Sequence, residues 1–142
     1  MISQASATWS GSWHEGRGAL STGSDAAKDL PFSYASRFEG ASGGNPEELF
    51  ALAYAGCLTQ ALANTLDWGN YRIERIDTSV SVEIEMGEMS PEFRGIHIVI
   101  RAKVPGIKPN QFSGLVKAAK NGCMISRWLK IDPTLDAEVD AN

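Results

Sequence analysis

The segment Asn45-Pro46-Glu47-Glu48-Leu49, set ahead of a long apolar run, constrains the fold of this chain more than any other feature. An Asn side chain accepts from an unpaired backbone N–H of a first helical turn, and Pro fits the first helical position. Two carboxylates then face the positive end of the helix dipole. The pattern predicts a helix from Pro46 to about Asp67. Leu49, Phe50, Leu52, Ala53, Leu58, Ala61, Leu62 and Leu66, with Ala55 and Gly56, cover nearly its whole circumference. Such a helix belongs inside the protein. Thr59, Gln60, Asn64 and Thr65 make it too polar for a membrane span.

Around this helix the periodicity is mostly that of strands. Ala7–Ser10, Gly16–Thr22 and the aromatic-rich stretch Leu30–Phe38 read as three strands, followed by a glycine loop from Gly40 to Gly44. Val80, Val82, Ile84 and Met86 alternate with polar residues, as do Ile96, Ile98, Ile100, Ala102 and Val104. These are half-buried strands joined by a hairpin loop over Gly87–Gly95. Pro109 opens a second helix with Phe112, Leu115, Val116 and Ala119 at helical spacing, broken at Asn121-Gly122. Met124–Lys130 suits a short helix, and Leu135, Ala137 and Val139 a last strand. The expectation is one α+β domain over residues 1–142, an antiparallel sheet packed on helices.

The chain has 142 residues, a net charge of -4 and basic residues scattered singly, which excludes the usual nucleic-acid surface. The first residues carry neither the basic nor the apolar region of a signal peptide, so the cytosol is the expected compartment. There, cysteines stay reduced unless their chemistry is the point.

Cys57 and Cys123 are the two cysteines. Three readings compete: two small buried hydrophobes, a structural disulfide, or a redox pair. Cys57 follows Ala53-Tyr54-Ala55-Gly56, small residues that leave room for a substrate or another backbone. Cys123 follows the break at Asn121-Gly122, where a local shift brings its sulfur toward another thiol. A zinc site is disfavoured by the lack of a Cys-x-x-Cys pair and by the distance of His14 and His97 along the chain.

Arg37-Phe38-Glu39-Gly40, Gly44-Asn45-Pro46-Glu47-Glu48-Leu49, Ala55-Gly56-Cys57 and Ala119-Lys120-Asn121-Gly122-Cys123 resemble the OsmC/Ohr family in order and spacing. Ala7-Thr8-Trp9-Ser10-Gly11 and Val104-Pro105-Gly106-Ile107 point to its OsmC branch. The resemblance implies an OsmC-like fold with a long buried central helix, in an intertwined homodimer with active sites at the subunit interface. It implies a peroxidase for organic hydroperoxides, and for hydrogen peroxide too, that needs no cofactor and is recycled by a dithiol such as a dihydrolipoyl group. Cys57 matches the family's peroxidatic cysteine and Cys123 its resolving cysteine. Arg37 matches the arginine beside the reactive sulfur, and Glu47 the glutamate that holds it. Met124 departs from the pattern, since proline commonly follows the second cysteine.

The chemistry of those residue types fits. Burial of Cys57 disfavours its thiolate, so a nearby cation is needed, and Arg37 stays charged when buried. Glu47 stands ten helical residues, roughly 15 Å, from Cys57 and would act by holding Arg37; Glu48 competes for that role. Tyr34, Phe38, Leu49 and Phe50 are expected to line an apolar approach for the substrate. Trp9 and Trp13 read as packing or interface anchors, His14 and His97 as exposed strand histidines, and Arg17 as a second candidate arginine. The rival reading is a non-enzymatic module that binds an apolar ligand and uses its cysteines only for packing.

Overall fold

Ten elements follow one another in the computed structural model, which describes all residues from Met1 to Asn142. They are β1 (Ala5–Ser10), β2 (Arg17–Thr22), β3 (Leu30–Phe32), α1 (Tyr34–Phe38), α2 (Pro46–Trp68), β4 (Arg75–Met86), β5 (Pro91–Lys103), α3 (Pro109–Gly122), α4 (Met124–Trp128) and β6 (Thr134–Asp140). Contacts divide the chain into two units, Met1–Leu49 and Phe50–Asn142.

The first unit holds an antiparallel sheet in the order β1-β2-β3, with Ala5 opposite Thr22 and Leu20 opposite Leu30. Gly18 faces Phe32 across it, and the Phe32 ring fills the space a Cβ at position 18 would need. The third strand is shorter than its composition predicts. Tyr34–Phe38, expected as strand, is the helix α1. Ser33 Oγ accepts from the Ser36 amide at 3.1 Å, and Ser36 Oγ accepts from the Ser33 amide at 2.9 Å. This reciprocal cap satisfies two orphan donors and overrides the strand preference of the aromatic residues.

At the end of this unit the Asn45 side chain accepts from the Glu47 and Glu48 amides at 2.9 and 3.2 Å, the cap that the sequence signals for α2.

In the second unit β4 and β5 pair antiparallel from Arg75↔Lys103 to Met86↔Pro91, and β6 lies parallel to β5. The sheet is therefore mixed, where an antiparallel one was expected. A parallel neighbour needs a crossover, and α3 and α4 supply it. The connection between β4 and β5 is also tighter than expected. Residues Pro91–Gly95 belong to β5, leaving only Gly87–Ser90 as loop. Pro91 is tolerated as the first residue of a strand, and the register shifts once, between Glu83 and Ile84.

The core gathers Tyr54, Leu58, Leu62 and Leu66 of α2 with Ile96, Ile98 and Ile100 of β5 and Phe112 and Val116 of α3. The four α2 residues recur every fourth position, so they form one stripe along the helix. Burial is thus one-sided. Leu52 is 70% exposed and Trp68 80%, where the sequence predicts a helix wholly inside the protein, while Phe50 and Ala61 pack partly against the core. Length and apolarity alone would suit α2 to a membrane span, but its buried stripe is committed to the core.

Candidate active site

The two thiols lie side by side. Cys57 sits at mid-length on α2 and is half-buried, while Cys123 is 1% exposed at the junction of α3 and α4. Both are free, and Cys123 Sγ donates to Cys57 Sγ at 3.1 Å. Asn121-Gly122, expected to break α3, instead completes its last turn. Cys123 then departs with an extended backbone and caps both helices at once. That change of direction is what turns its sulfur toward α2.

The sulfurs differ in proton affinity. Burial pushes the Cys57 thiol up, but the Ile125 amide, the Cys123 thiol and the Met124 amide together bring it below its ordinary value. The first amides of a helix have no intrahelical partner and are free to serve an anion. Cys123 moves the other way. Its burial raises it, the neighbouring Cys57 raises it further, and the Ser126 amide and hydroxyl offset only part of this. The Ser126 amide lies near that sulfur without closing a side-chain cap on α4. Of the two, Cys57 therefore gives up its proton more readily, and Cys123 is the thiol that donates to it.

The sequence argument asked for a cation beside Cys57. The groups that lower its thiol here are two backbone amides and the other cysteine. Met124 matters in this respect, because a proline at that position would have no N–H to give.

The other two expected site residues meet in the first unit. Arg37, in the last turn of α1, binds Glu47, in the first turn of α2, through Nε at 3.1 Å from each carboxylate oxygen and through a further Nη2–Oε1 contact. Glu48, the competing carboxylate, is exposed and makes no ion pair. Burial raises the Glu47 carboxyl, but the Arg37 guanidinium and the backbone amide of Glu47 itself hold it below the usual range. Arg37 also lies over the Phe38 ring at 4.9 Å.

An open apolar groove of about 340 Å³ borders this arginine, lined by Trp9, Trp13, Phe32, Tyr34, Arg37 and Phe38 together with Ser33 and Pro46. Trp13 and Tyr34 meet edge to face at 4.9 Å, and Tyr34 leans on Phe38 at 5.0 Å. Of the residues expected to line an apolar approach, Tyr34 and Phe38 do so here. Leu49 and Phe50 do not, and Phe50 packs toward Tyr54 at 6.1 Å.

Arg17 turns back on its own loop, donating to the Glu15 and Gly16 carbonyls at 3.3 and 3.1 Å. His14 stands in the turn between β1 and β2 rather than on a strand, its ring tilted against Tyr34 at 4.4 Å. His97 is exposed on β5, with Nδ1 2.7 Å from Thr134 Oγ1 and Nε2 3.4 Å from Asp136. No group of three or more His, Cys, Asp or Glu residues is arranged to hold a metal ion.

Sequence reasoning missed the Met124, Ile125 and Ser126 donors. The signal was present, since a short helix starting straight after Cys123 must present unpaired amides beside it. It also missed Trp9, Trp13 and Phe32 as groove residues, because β1–β3 pairing and the β1–β2 turn are what assemble them.

The chain thus combines two small sheets and a long helix with two free thiols in hydrogen-bond contact. Residues 39–138 match the model of the OsmC-like protein family, and the chain belongs to that family. It is 35% identical over 133 residues to peroxiredoxin OsmC of Escherichia coli (strain K12), covering 94% of this chain and 93% of that protein. It is 31% identical over 124 residues to the organic hydroperoxide resistance protein of Xanthomonas axonopodis pv. citri, covering 84% and 86%. The fold is also that of the organic hydroperoxide resistance protein OhrB of Bacillus subtilis, with a TM-score of 0.69 at 23% identity over 96% of this chain and 98% of that one.

Proposed function

We propose that this protein is a thiol-dependent peroxidase that reduces organic hydroperoxides, with Cys57 as nucleophile and Cys123 as resolving thiol. The observation that carries this reading is the pair of free thiols 3.1 Å apart whose proton affinities are driven in opposite directions. Packing alone gives no reason for that asymmetry, whereas a nucleophile and its resolver need it.

The cycle follows. The Cys57 thiolate attacks the distal peroxide oxygen, the O–O bond breaks, and the alkoxide leaves as alcohol after taking a proton. Cys57 is left as a sulfenic acid. Cys123 attacks that sulfur, water leaves, and a Cys57–Cys123 disulfide forms. A dithiol of the dihydrolipoyl kind then reduces the disulfide and restores both thiols. Arg37 is the cation assigned to the thiolate and the peroxide oxygen, and Glu47 the group that fixes its guanidinium. The aromatic groove beside Arg37 favours an alkyl or aryl hydroperoxide over hydrogen peroxide. The uncovered face of α2, with Leu52 and Trp68 exposed, supports a homodimer in which a second copy covers it.

The test is consumption of cumene hydroperoxide and of hydrogen peroxide by the pure protein, with dihydrolipoamide as reductant. Rapid turnover that favours the organic peroxide and disappears in Cys57→Ser is the expected result. Unimpaired turnover in Cys57→Ser, or a wild-type Cys57 that stays reduced under excess peroxide, would overturn the assignment. The second of those outcomes, with an apolar ligand held in the groove, would favour a binding module instead.

A further inference from the structure

Two hydroxyls beside the thiols, those of Tyr54 and Ser126, take no part in the cycle above. Tyr54 is fully buried on α2, one helical turn before Cys57, and its Oη lies 2.7 Å from Ser126 Oγ. Ser126 is the third residue after Cys123, which caps α4, and in a first helical turn the cap side chain and the third helical residue stand together. Cys123 is itself buried, 3.1 Å from Cys57. The order is therefore Tyr54, Ser126, Cys123, Cys57.

Two hydroxyls that share one hydrogen bond have a second hydrogen left to donate. With Tyr54 Oη–H donating to Ser126 Oγ, the remaining hydrogen belongs to Ser126 and is free to face the Cys123 sulfur. We propose that Ser126, held in its rotamer by Tyr54, is a positioning residue for the resolving step: it donates to Cys123 Sγ as that sulfur becomes the nucleophile. The inference rests on the assignment of Cys57 and Cys123 made above.

In that step Cys123 gives up its proton and its thiolate attacks the sulfur of the Cys57 sulfenic acid. The S–O bond breaks, an S–S bond forms, and hydroxide leaves as water with the released proton. No outside oxidant or reductant is consumed. Charge passes transiently onto a buried sulfur, and a buried sulfur has little water to stabilise it. The titratable groups facing Tyr54 are Cys123, Asp132 and Cys57. Asp132 is bound to Lys120 at 2.5 Å, so its charge is largely answered. The Ser126 hydroxyl then adds to the Ser126 amide in stabilising the Cys123 thiolate.

The chain separates two rates that a merely structural role would move together. One equivalent of cumene hydroperoxide is mixed with reduced wild-type, Ser126→Ala, Ser126→Thr and Tyr54→Phe proteins. Sulfenic acid is followed by dimedone trapping and disulfide by mass spectrometry. Ser126→Ala is expected to slow disulfide formation roughly tenfold, the effect of one hydrogen bond to a charged group, while slowing Cys57 oxidation far less. Its disulfide-formation profile moves to higher pH, Cys57 sulfinic acid accumulates, and Ser126→Thr restores both. Tyr54→Phe falls between.

A second arm needs no peroxide. In the Cys57→Ser background the pH at which Cys123 is alkylated should rise with Ser126→Ala and return with Ser126→Thr. Wild-type disulfide rates in Ser126→Ala, or an unmoved Cys123 alkylation profile, would overturn the proposal. A wild-type Cys57 that never oxidises would instead sink the peroxidase reading and leave the alkylation arm to decide the role of Ser126.

Discussion

Cys57 and Cys123 are 3.1 Å apart and yet differ in everything that sets thiol behaviour. Cys57 stands on a continuous helix, half-buried, with the amides of Ile125 and Met124 at its sulfur. Cys123 occupies a kink between two helices, almost fully buried, with a thiol that burial and its neighbour hold up. The lesson is that proton affinity here is set by donors as well as by depth. The same short helix offers its first two amides to one sulfur and its third residue to the other.

The largest effect separates the two sulfurs outright. Cys57→Ser should abolish peroxide consumption. Cys123→Ser should consume about one equivalent, then stop or proceed to sulfinic acid under excess peroxide, as resolved by intact mass. Similar residual turnover in the two variants would dissolve the distinction between them.

Next in size is the contribution of charge. An opposite charge at close range typically shifts a titration by about 1–3 units, so Arg37→Leu should slow Cys57 oxidation at neutral pH by about tenfold or more. Glu47→Gln should have the same direction and a smaller size, because the arginine remains but loses its clamp. Stopped-flow oxidation of the fully reduced protein measures both. An unchanged rate in Arg37→Leu would mean that the amides and the Cys123 thiol activate Cys57 without help.

The pH dependence sharpens the comparison further. A lowered thiol is already thiolate below the ordinary cysteine range, whereas a raised one becomes thiolate only above it. As pH rises, iodoacetamide should therefore modify Cys57 first and Cys123 later, read by peptide mass spectrometry. Met124→Pro removes one amide donor and should move the Cys57 profile upward while leaving the order intact. Reversed order would contradict the assignment of roles.

The smallest effects concern the arginine clamp. Asn45→Ala removes the α2 cap and should cost about 0.5–2 kcal/mol in urea unfolding. The Glu47 carboxyl is depressed, so the stabilisation from its pairing is present above the ordinary carboxylate range. It fades as pH falls through the depressed value. The stability gap between wild type and Glu47→Gln should accordingly shrink toward acid.

Much of this was legible in the sequence where a local rule acts alone. Asn45 and Pro46 fix the start of α2 by capping, and the alternation around Val80 and Ile98 fixes β4 and β5 by period. Glu47 and Arg37 were named in the sequence, and the structure pairs them. What stayed hidden depends on competition or on distant pairing. Tyr34–Phe38 looks like strand until two serines cap a helix across it. The parallel course of β6 follows from how a crossover packs, which no period encodes. The proximity of two sulfurs separated by 66 positions exists only once Cys123 leaves α3 with an extended backbone.

The kink at Cys123 has one more consequence. A covalent bond from there to the middle of α2 would join positions 66 residues apart. In the chain-entropy picture, tying off a loop of that length removes enough freedom from the unfolded chain to stabilise the folded one by about 4 kcal/mol. The oxidised protein would then melt well above the reduced one, and a simple heating curve would read out how much of a sample is waiting for its electrons.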